Sequence, residues 1–200
     1  MKLEQYMEYI RKYEIPPEPP YMPRDSLYAE LDHYKARDEC TSRGLWTVIA
    51  DTWVAQLAEW IGERKCVEVM AGAGWLAKAL QNHNVDVWPT DNYSWNQRHS
   101  KMQFLTGVTQ TNATAAVKSA KDAEILIVSW PPYGGTAIVY ACNEWDDRGY
   151  IVYIGEKQWG CNAPDSFFER FWIPDDTPRI HLPQWPGLHD EIMIGIWRKK

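Results

Sequence analysis

Four residues without bulk, Ala71-Gly72-Ala73-Gly74, separate the apolar run Cys66–Met70 from a stretch with helical spacing that opens at Trp75. Such a turn leaves backbone N–H groups bare at a helix N-terminus, where they attract an electron-rich or anionic partner. A second apolar run, Val85 to Asp91, ends in a carboxylate. A strand-end acid at this spacing is where ribose hydroxyls of nucleotide-type ligands are gripped. Glu68 lies inside the first run, where a carboxylate costs free energy unless donors meet it. Those donors are expected to be the turn's amides or a ligand group beside them. The ligand chemistry expected of Glu68, Ala71, Gly72, Gly74 and Asp91 is that of a nucleoside-containing cofactor.

A second constellation, Ser129-Trp130-Pro131-Pro132-Tyr133-Gly134-Gly135, follows the apolar run Glu124–Ser129. The prolines stiffen the loop and remove two donors, so its carbonyls act as acceptors between the flat faces of Trp130 and Tyr133. Rigid acceptors flanked by aromatics suit a planar substrate carrying an amino group, or a cation. Glu156 follows the next apolar run and is read as a general base, a substrate anchor or a solvated loop acid. Asn112 is read as an adenine contact or an ordinary turn residue. The segment Gln184–Asp190 is expected to be a hairpin connection.

These residues need a scaffold that brings strand ends together. From Lys65 onward strands and helices alternate: strands at Cys66–Met70, Val85–Asp91, Gly107–Gln110, Glu124–Ser129 and Tyr150–Ile154, with helices at Trp75 onward, Thr114–Ser119, Thr136–Trp145 and Asp165–Phe171. This alternation predicts a mostly parallel α/β sheet. Short strands near Arg179–Leu182 and over Glu191–Trp197 leave no room for a helix between them, which predicts an antiparallel C-terminal hairpin. Upstream, helices are expected over Leu3–Tyr13, from about Ser26, and from Leu45 to Ile61, with Ile15–Pro23 an extended connector because proline cannot continue a helix.

At 200 residues and a net charge of −6, the chain suits one full core and does not favour non-specific nucleic-acid or anionic-membrane binding. No apolar run is long enough to span a bilayer. Cys40, Cys66, Cys142 and Cys161 lack metal-ligand spacing and read as reduced thiols of a cytoplasmic protein. No metal site is expected. Tryptophan is enriched, with 12 residues. Trp53, Trp60, Trp145 and Trp172 read as helix packing, whereas Trp95, Trp130, Trp159 and Trp185 fall in loops after strands, where packing explains them less well.

The glycine turn, Asp91 and the Trp-Pro-Pro-Tyr loop resemble the motifs of the class I S-adenosylmethionine-dependent methyltransferases. More closely, Glu68–Ala77, Ser129–Tyr133, Tyr153–Glu156, Gly160–Phe168 and Leu182–Asp190 resemble a little-characterised methyltransferase-like branch. The resemblance runs from Leu45 to the C-terminus, which divides the chain into an N-terminal helical and proline-rich arm (1–44) and a Rossmann-like domain (45–200). It implies a seven-stranded sheet with its last strand antiparallel. It also implies S-adenosyl-L-methionine held by Glu68, Ala71, Gly72, Gly74, Asp91, Asn112 and Ser129, and a small-molecule or nucleobase substrate against Trp130, Pro131, Tyr133 and Glu156. Two positions depart from the pattern. Met70 replaces the loop's first glycine, and Trp130 replaces the Asp, Asn or Ser that accepts from a target amine in DNA amino-methyltransferases; an indole only donates. A non-catalytic S-adenosylmethionine sensor or interaction module is the first alternative. An NAD-dependent oxidoreductase is the second, because Gly72-x-Gly74-x-x-Ala77 also fits the dinucleotide fingerprint.

Overall fold

A computed structural model describes residues 1–22, 27–94 and 103–198, the side chains of 27–30 excepted. Trp95 lies outside the described residues. The strands are β1 (Cys66–Val69), β2 (Val87–Asp91), β3 (Thr109–Gln110), β4 (Ile125–Ser129), β5 (Tyr150–Gly155), β6 (Phe171–Trp172) and β7 (Glu191–Trp197). The helices are α1 (Leu3–Arg11), α2 (Leu27–Ser42), α3 (Asp51–Ile61), α4 (Trp75–Asn82), α5 (Ala113–Ser119), α6 (Ala137–Trp145) and α7 (Asp165–Phe168). One sheet in the order β3-β2-β1-β4-β5-β7-β6 organises them. β3 to β5 run parallel, and β7 is antiparallel to both β5 and β6.

The central strands are covered on both faces, so they read as continuous apolar runs. Ile125, Ile127, Val152 and Ile154 point into one core with α1, α3 and α4. Leu126, Val128, Ile151 and Tyr153 point into the other, with α5, α6 and α7. Tyr6, Met7 and Ile10 of α1 and Ala36 and Cys40 of α2 belong to the first core, so residues of the N-terminal segment pack directly into the sheet's own interior.

Two departures from the sequence expectations matter for the site. α3 begins at Asp51, not at Leu45. Leu45, Val48 and Ile49 are buried in a non-helical stretch, and the carbonyls of Pro16 and Pro17 accept from the Asp51 and Thr52 amides. The proline connector thus supplies acceptors to the helix's first N–H groups and sets its start. In the tail, residues 179–182 form no strand. Their place as a partner of β7 is taken by Phe171–Trp172, where a helix end was expected. β7 consequently lies between β5 and β6 instead of closing a simple hairpin.

Candidate active site

Three strand ends meet at the carboxyl edge of the sheet. β1 turns into α4 through Met70–Gly74, and Met70 (φ 60), Gly72 (φ 57) and Gly74 (φ 79) all adopt left-handed backbone. Glycine takes that conformation freely; Met70 is held there at a cost. Ala71 is pinned to β2 through its amide and the Thr90 carbonyl at 3.0 Å. Asp91 closes the turn from the next strand. Its Oδ2 accepts from the Gly72 amide at 2.9 Å and its Oδ1 from the Tyr93 amide at 2.7 Å. The expected pairing of glycine turn and strand-end acid is therefore a direct hydrogen bond.

Glu68 points to the same region. It is 1% exposed, accepts from the Ala77 amide in the first turn of α4, and leaves its Oε2 without a hydrogen-bond partner. An acid at a helix N-terminus explains a carboxyl on a buried strand. Burial first, and the neighbouring Asp91 second, push its pKa up to about 8 against the Ala77 hydrogen bond, so Glu68 is largely protonated at neutral pH. A second orphan, the Thr47 hydroxyl, lines the same cavity of about 20 Å³ as Glu68, Met70, Ala71 and Ser129. That space holds about one water-sized group.

The turn is roofed, contrary to the open backbone face expected from its small residues. A Cβ on Gly72 would meet Trp46 Cζ3 at 2.7 Å and the Gly44 carbonyl at 3.1 Å; one on Gly74 would meet Thr106 and Val108 methyls at 2.9 Å. The non-helical segment Arg43–Thr47, which follows α2, forms the roof over Gly72. It is fastened where the Trp75 indole donates to the Arg43 carbonyl at 3.0 Å, where Tyr13 stacks on Trp75 at 5.8 Å, and where the Arg43 guanidinium lies 5.2 Å over Tyr13. Sequence periodicity assigned this segment to a helix, which hid its contact with the turn.

Asn112 caps α5, its Oδ1 accepting from the Ala115 amide at 2.9 Å. The cap engages its carbonyl oxygen and not its amide nitrogen. Ser129 ends β4 on the wall of the small cavity. The loop that follows is strained at Trp130 (φ 50) and, across from it in the β5 loop, at Trp159 (φ 69) and Ala163 (φ 49). The Asn162 amide donates to the Pro131 carbonyl at 3.4 Å and ties the two loops together. Tyr133 (77% exposed) and Trp159 (86% exposed) stand out from this rim, whereas Trp185 is 1% exposed and packs edge-on against Tyr6, a core residue and not a ligand wall.

Glu156 is committed to its loop. Its Oε2 accepts from the Cys161 amide and thiol, each at 2.7 Å, and its Oε1 from the His189 amide at 3.0 Å. Burial alone would raise its pKa, but these donors outweigh it and hold the carboxyl below its ordinary value. A group so stabilised as a carboxylate is a weak base, and its geometry is that of an anchor. Cys161 is exposed and its thiol is raised to about 11 by burial and by Glu156. Sequence reasoning gave no role to Asp190, which the fold brings to Trp130: the indole donates to Asp190 Oδ2 at 3.0 Å across 60 residues of chain. Only the β5–β7 register, which sets Gly155 opposite Glu191, reveals that neighbourhood. Among the described residues, no group of three or more His, Cys, Asp and Glu side chains could hold a metal ion, and no helix is long and apolar enough to cross a membrane.

The sheet order and single antiparallel strand are those of the Rossmann-like class I methyltransferase fold. No protein-family model and no curated protein sequence matches the chain. Solved structures similar to it include magnesium protoporphyrin IX methyltransferase from Synechocystis PCC 6803 with bound S-adenosylmethionine, at 11% identity and TM-score 0.49 over 98% of this chain and 97% of that one. Ribosomal protein L11 methylase from Lactobacillus delbrueckii subsp. bulgaricus is similar at 12% identity and TM-score 0.45, over 74% of this chain and 79% of that one. The 1,6-didemethyltoxoflavin-N1-methyltransferase of Burkholderia thailandensis, with bound 1,6-didemethyltoxoflavin and S-adenosylhomocysteine, is similar at 14% identity and TM-score 0.43, over 90% of this chain and 94% of that one.

Proposed function

We propose that this chain is an S-adenosylmethionine-dependent methyltransferase acting on a nitrogen or oxygen nucleophile of a small molecule or nucleobase. The observation that carries the reading is the Gly72–Asp91 hydrogen bond: a left-handed glycine turn at a helix N-terminus, clasped by the strand-end acid of the adjacent parallel strand. The residues fit the cofactor in chemistry. Asp91 stands at the end of β2 for ribose hydroxyls, Glu68 and Thr47 present two unsatisfied oxygens beside the turn, and Asn112 stands past β3 for an adenine edge. The space fits only once Trp46 withdraws from Gly72. When bound, the cofactor would supply an electrophilic methyl group on a sulfonium. The chain's own part is to hold the acceptor in line beside Trp130, Pro131 and Tyr133, and such positioning supplies much of the rate of a displacement.

Calorimetry with S-adenosylmethionine and S-adenosylhomocysteine tests this reading, with NAD(H) as the comparison for a dinucleotide site. Binding of the sulfur cofactors, weakened at least tenfold by Asp91→Ala, is expected. Failure to bind either one overturns the proposal. The closed roof lends weight to a second reading, a non-catalytic S-adenosylmethionine-binding module. Tight binding with slow exchange and no methyl transfer to metabolite, protein or nucleic-acid pools would mark it.

A further inference from the structure

Two buried, unpartnered atoms lie against the indole of Trp130. Asp190 is 0% exposed; its Oδ2 accepts the indole N–H, while its Oδ1 has no hydrogen-bond partner. The Arg37 guanidinium of α2 lies over the same ring, Cζ 5.7 Å from its centroid, and its Nε is likewise buried without a partner. An ionised carboxylate oxygen can only accept, and an arginine Nε–H can only donate. Buried orphans of both kinds are uncommon in folded proteins and costly to leave unmet. The indole they flank belongs to the residue after Ser129, which lines the cavity beside the glycine turn.

We propose that the face of Trp130 is the methyl-acceptor subsite, and that it takes a planar group in which an N–H donor adjoins an acceptor atom. The N–H is directed to Asp190 Oδ1 and the acceptor atom to Arg37 Nε. Such an edge belongs to the amino-imine side of a nucleobase or to a carboxamide. This assignment rests on the methyltransferase reading and supplies what Trp130 lacks: the acceptor for the target amine comes from the start of β7 instead of from the β4 loop. As the N–CH3 bond forms, the S–CH3 bond of the sulfonium donor breaks to leave a neutral thioether, and the N–H proton passes to Asp190 Oδ1. Reaching that oxygen requires Arg37 to lift from the indole, a contact of modest strength.

The charged and titratable groups around Asp190 are Arg37 from α2, Tyr153 and Glu156 from β5 and its loop, Cys161, and His189. Burial pushes the Asp190 carboxyl up to about 7, the Trp130 N–H draws it down, and Glu156 raises it again. A base poised there matches proton transfer near neutral pH.

The test follows the Trp130 indole N–H resonance, assigned by its loss in Trp130→Phe, with S-adenosylhomocysteine present. The probes are adenosine and cytidine for a base and N-acetylglutamine amide for a carboxamide, each against its N,N-dimethylated counterpart. One source is expected to shift the resonance saturably and to bind at least tenfold tighter than its dimethyl counterpart. Asp190→Asn keeps an acceptor for the indole, and should reduce that preference to under twofold. Arg37→Met should weaken the same probe at least fivefold. With labelled methyl donor, Asp190→Asn should lower kcat on that probe at least 100-fold, beyond its loss in binding, and abolish a kcat/KM limb near pH 7. Equal binding of the dimethyl counterpart, no shift with any probe, or an unaltered preference in Asp190→Asn overturns the proposal. Calorimetry on the same samples separates the two claims. Probe binding without S-adenosylhomocysteine binding leaves the subsite standing and removes the methyltransferase reading; the reverse removes the subsite alone.

Discussion

Glu68 shows how one side chain can serve a site and burden the fold together. Its pKa moves from an ordinary 4.5 to about 8 on folding, burial being the largest cause. The native state therefore binds more protons than the unfolded state between these values, so stability is greatest below the lower one and falls as pH rises through the window. Asp190, raised to about 7, adds a fall in the same direction that ends earlier. Between pH 7 and 8 Glu68 is the main contributor, at about 1 kcal/mol, or roughly 2–4 °C in Tm for a chain of this size. Glu68→Gln should remove most of that decline between pH 7 and 8, leaving the smaller part due to Asp190; a variant that still loses stability as the wild type does refutes the assignment. The presence of a site was legible in Glu68 and Asp91, because a carboxylate on an apolar strand demands a reason. Asp190 was not legible, since nothing local distinguishes it from any acid before a strand.

At the scale of elements, the segment Arg43–Thr47 determines whether the glycine turn meets a ligand. Gly72→Ala places a methyl 2.7 Å from the Trp46 ring at φ 57, so overpacking and backbone strain combine to cost about 1–3 kcal/mol. In a Trp46→Ala background the backbone strain and the 3.1 Å approach to the Gly44 carbonyl remain, and the clash with the ring is gone. A double-mutant cycle in urea should therefore give a coupling of about 1 kcal/mol, and simple additivity would show that the ring does not press on the turn. Trp46→Ala should also speed association of S-adenosylhomocysteine in stopped-flow fluorescence, by removing a step that must precede binding. Alternation of strands and helices was readable from residue 65 onward because each central strand is a continuous apolar run. The roof was misread for a related reason: Leu45, Val48 and Ile49 recur at helical spacing, yet bury themselves in chain that is not helical. Proline carbonyls some thirty residues upstream fix where α3 starts, and no local pattern encodes such a contact. The strand near residues 179–182 failed similarly, because Phe171–Trp172 competes for the free edge of β7.

Across the whole molecule, the N-terminal helix is part of the interior it was expected to flank. Tyr6, Met7 and Ile10 share the core of α3, α4 and Trp185. Ile10→Ala, at a fully buried position, should cost about 2–5 kcal/mol and lower the midpoint of a single cooperative transition followed by both tryptophan fluorescence and circular dichroism. Two separate transitions would mean that α1 and its neighbours unfold as an independent unit. The methyltransferase-like sheet order was implied by resemblance, while the depth to which α1 enters the core was not, because amphipathic spacing reveals a buried face but not its partner.

The insertion of β7 between β5 and β6 has a consequence for biosynthesis. While the ribosome has yet to add the residues from Glu191 onward, β5 presents a bare row of peptide groups and Phe171–Trp172 has no neighbour to join. An unpaired hydrophobic edge of that kind recruits other chains. A premature stop or frameshift before Glu191 should therefore yield insoluble product, since the missing segment is a middle plank of the sheet and carries the fold's attachment for β6.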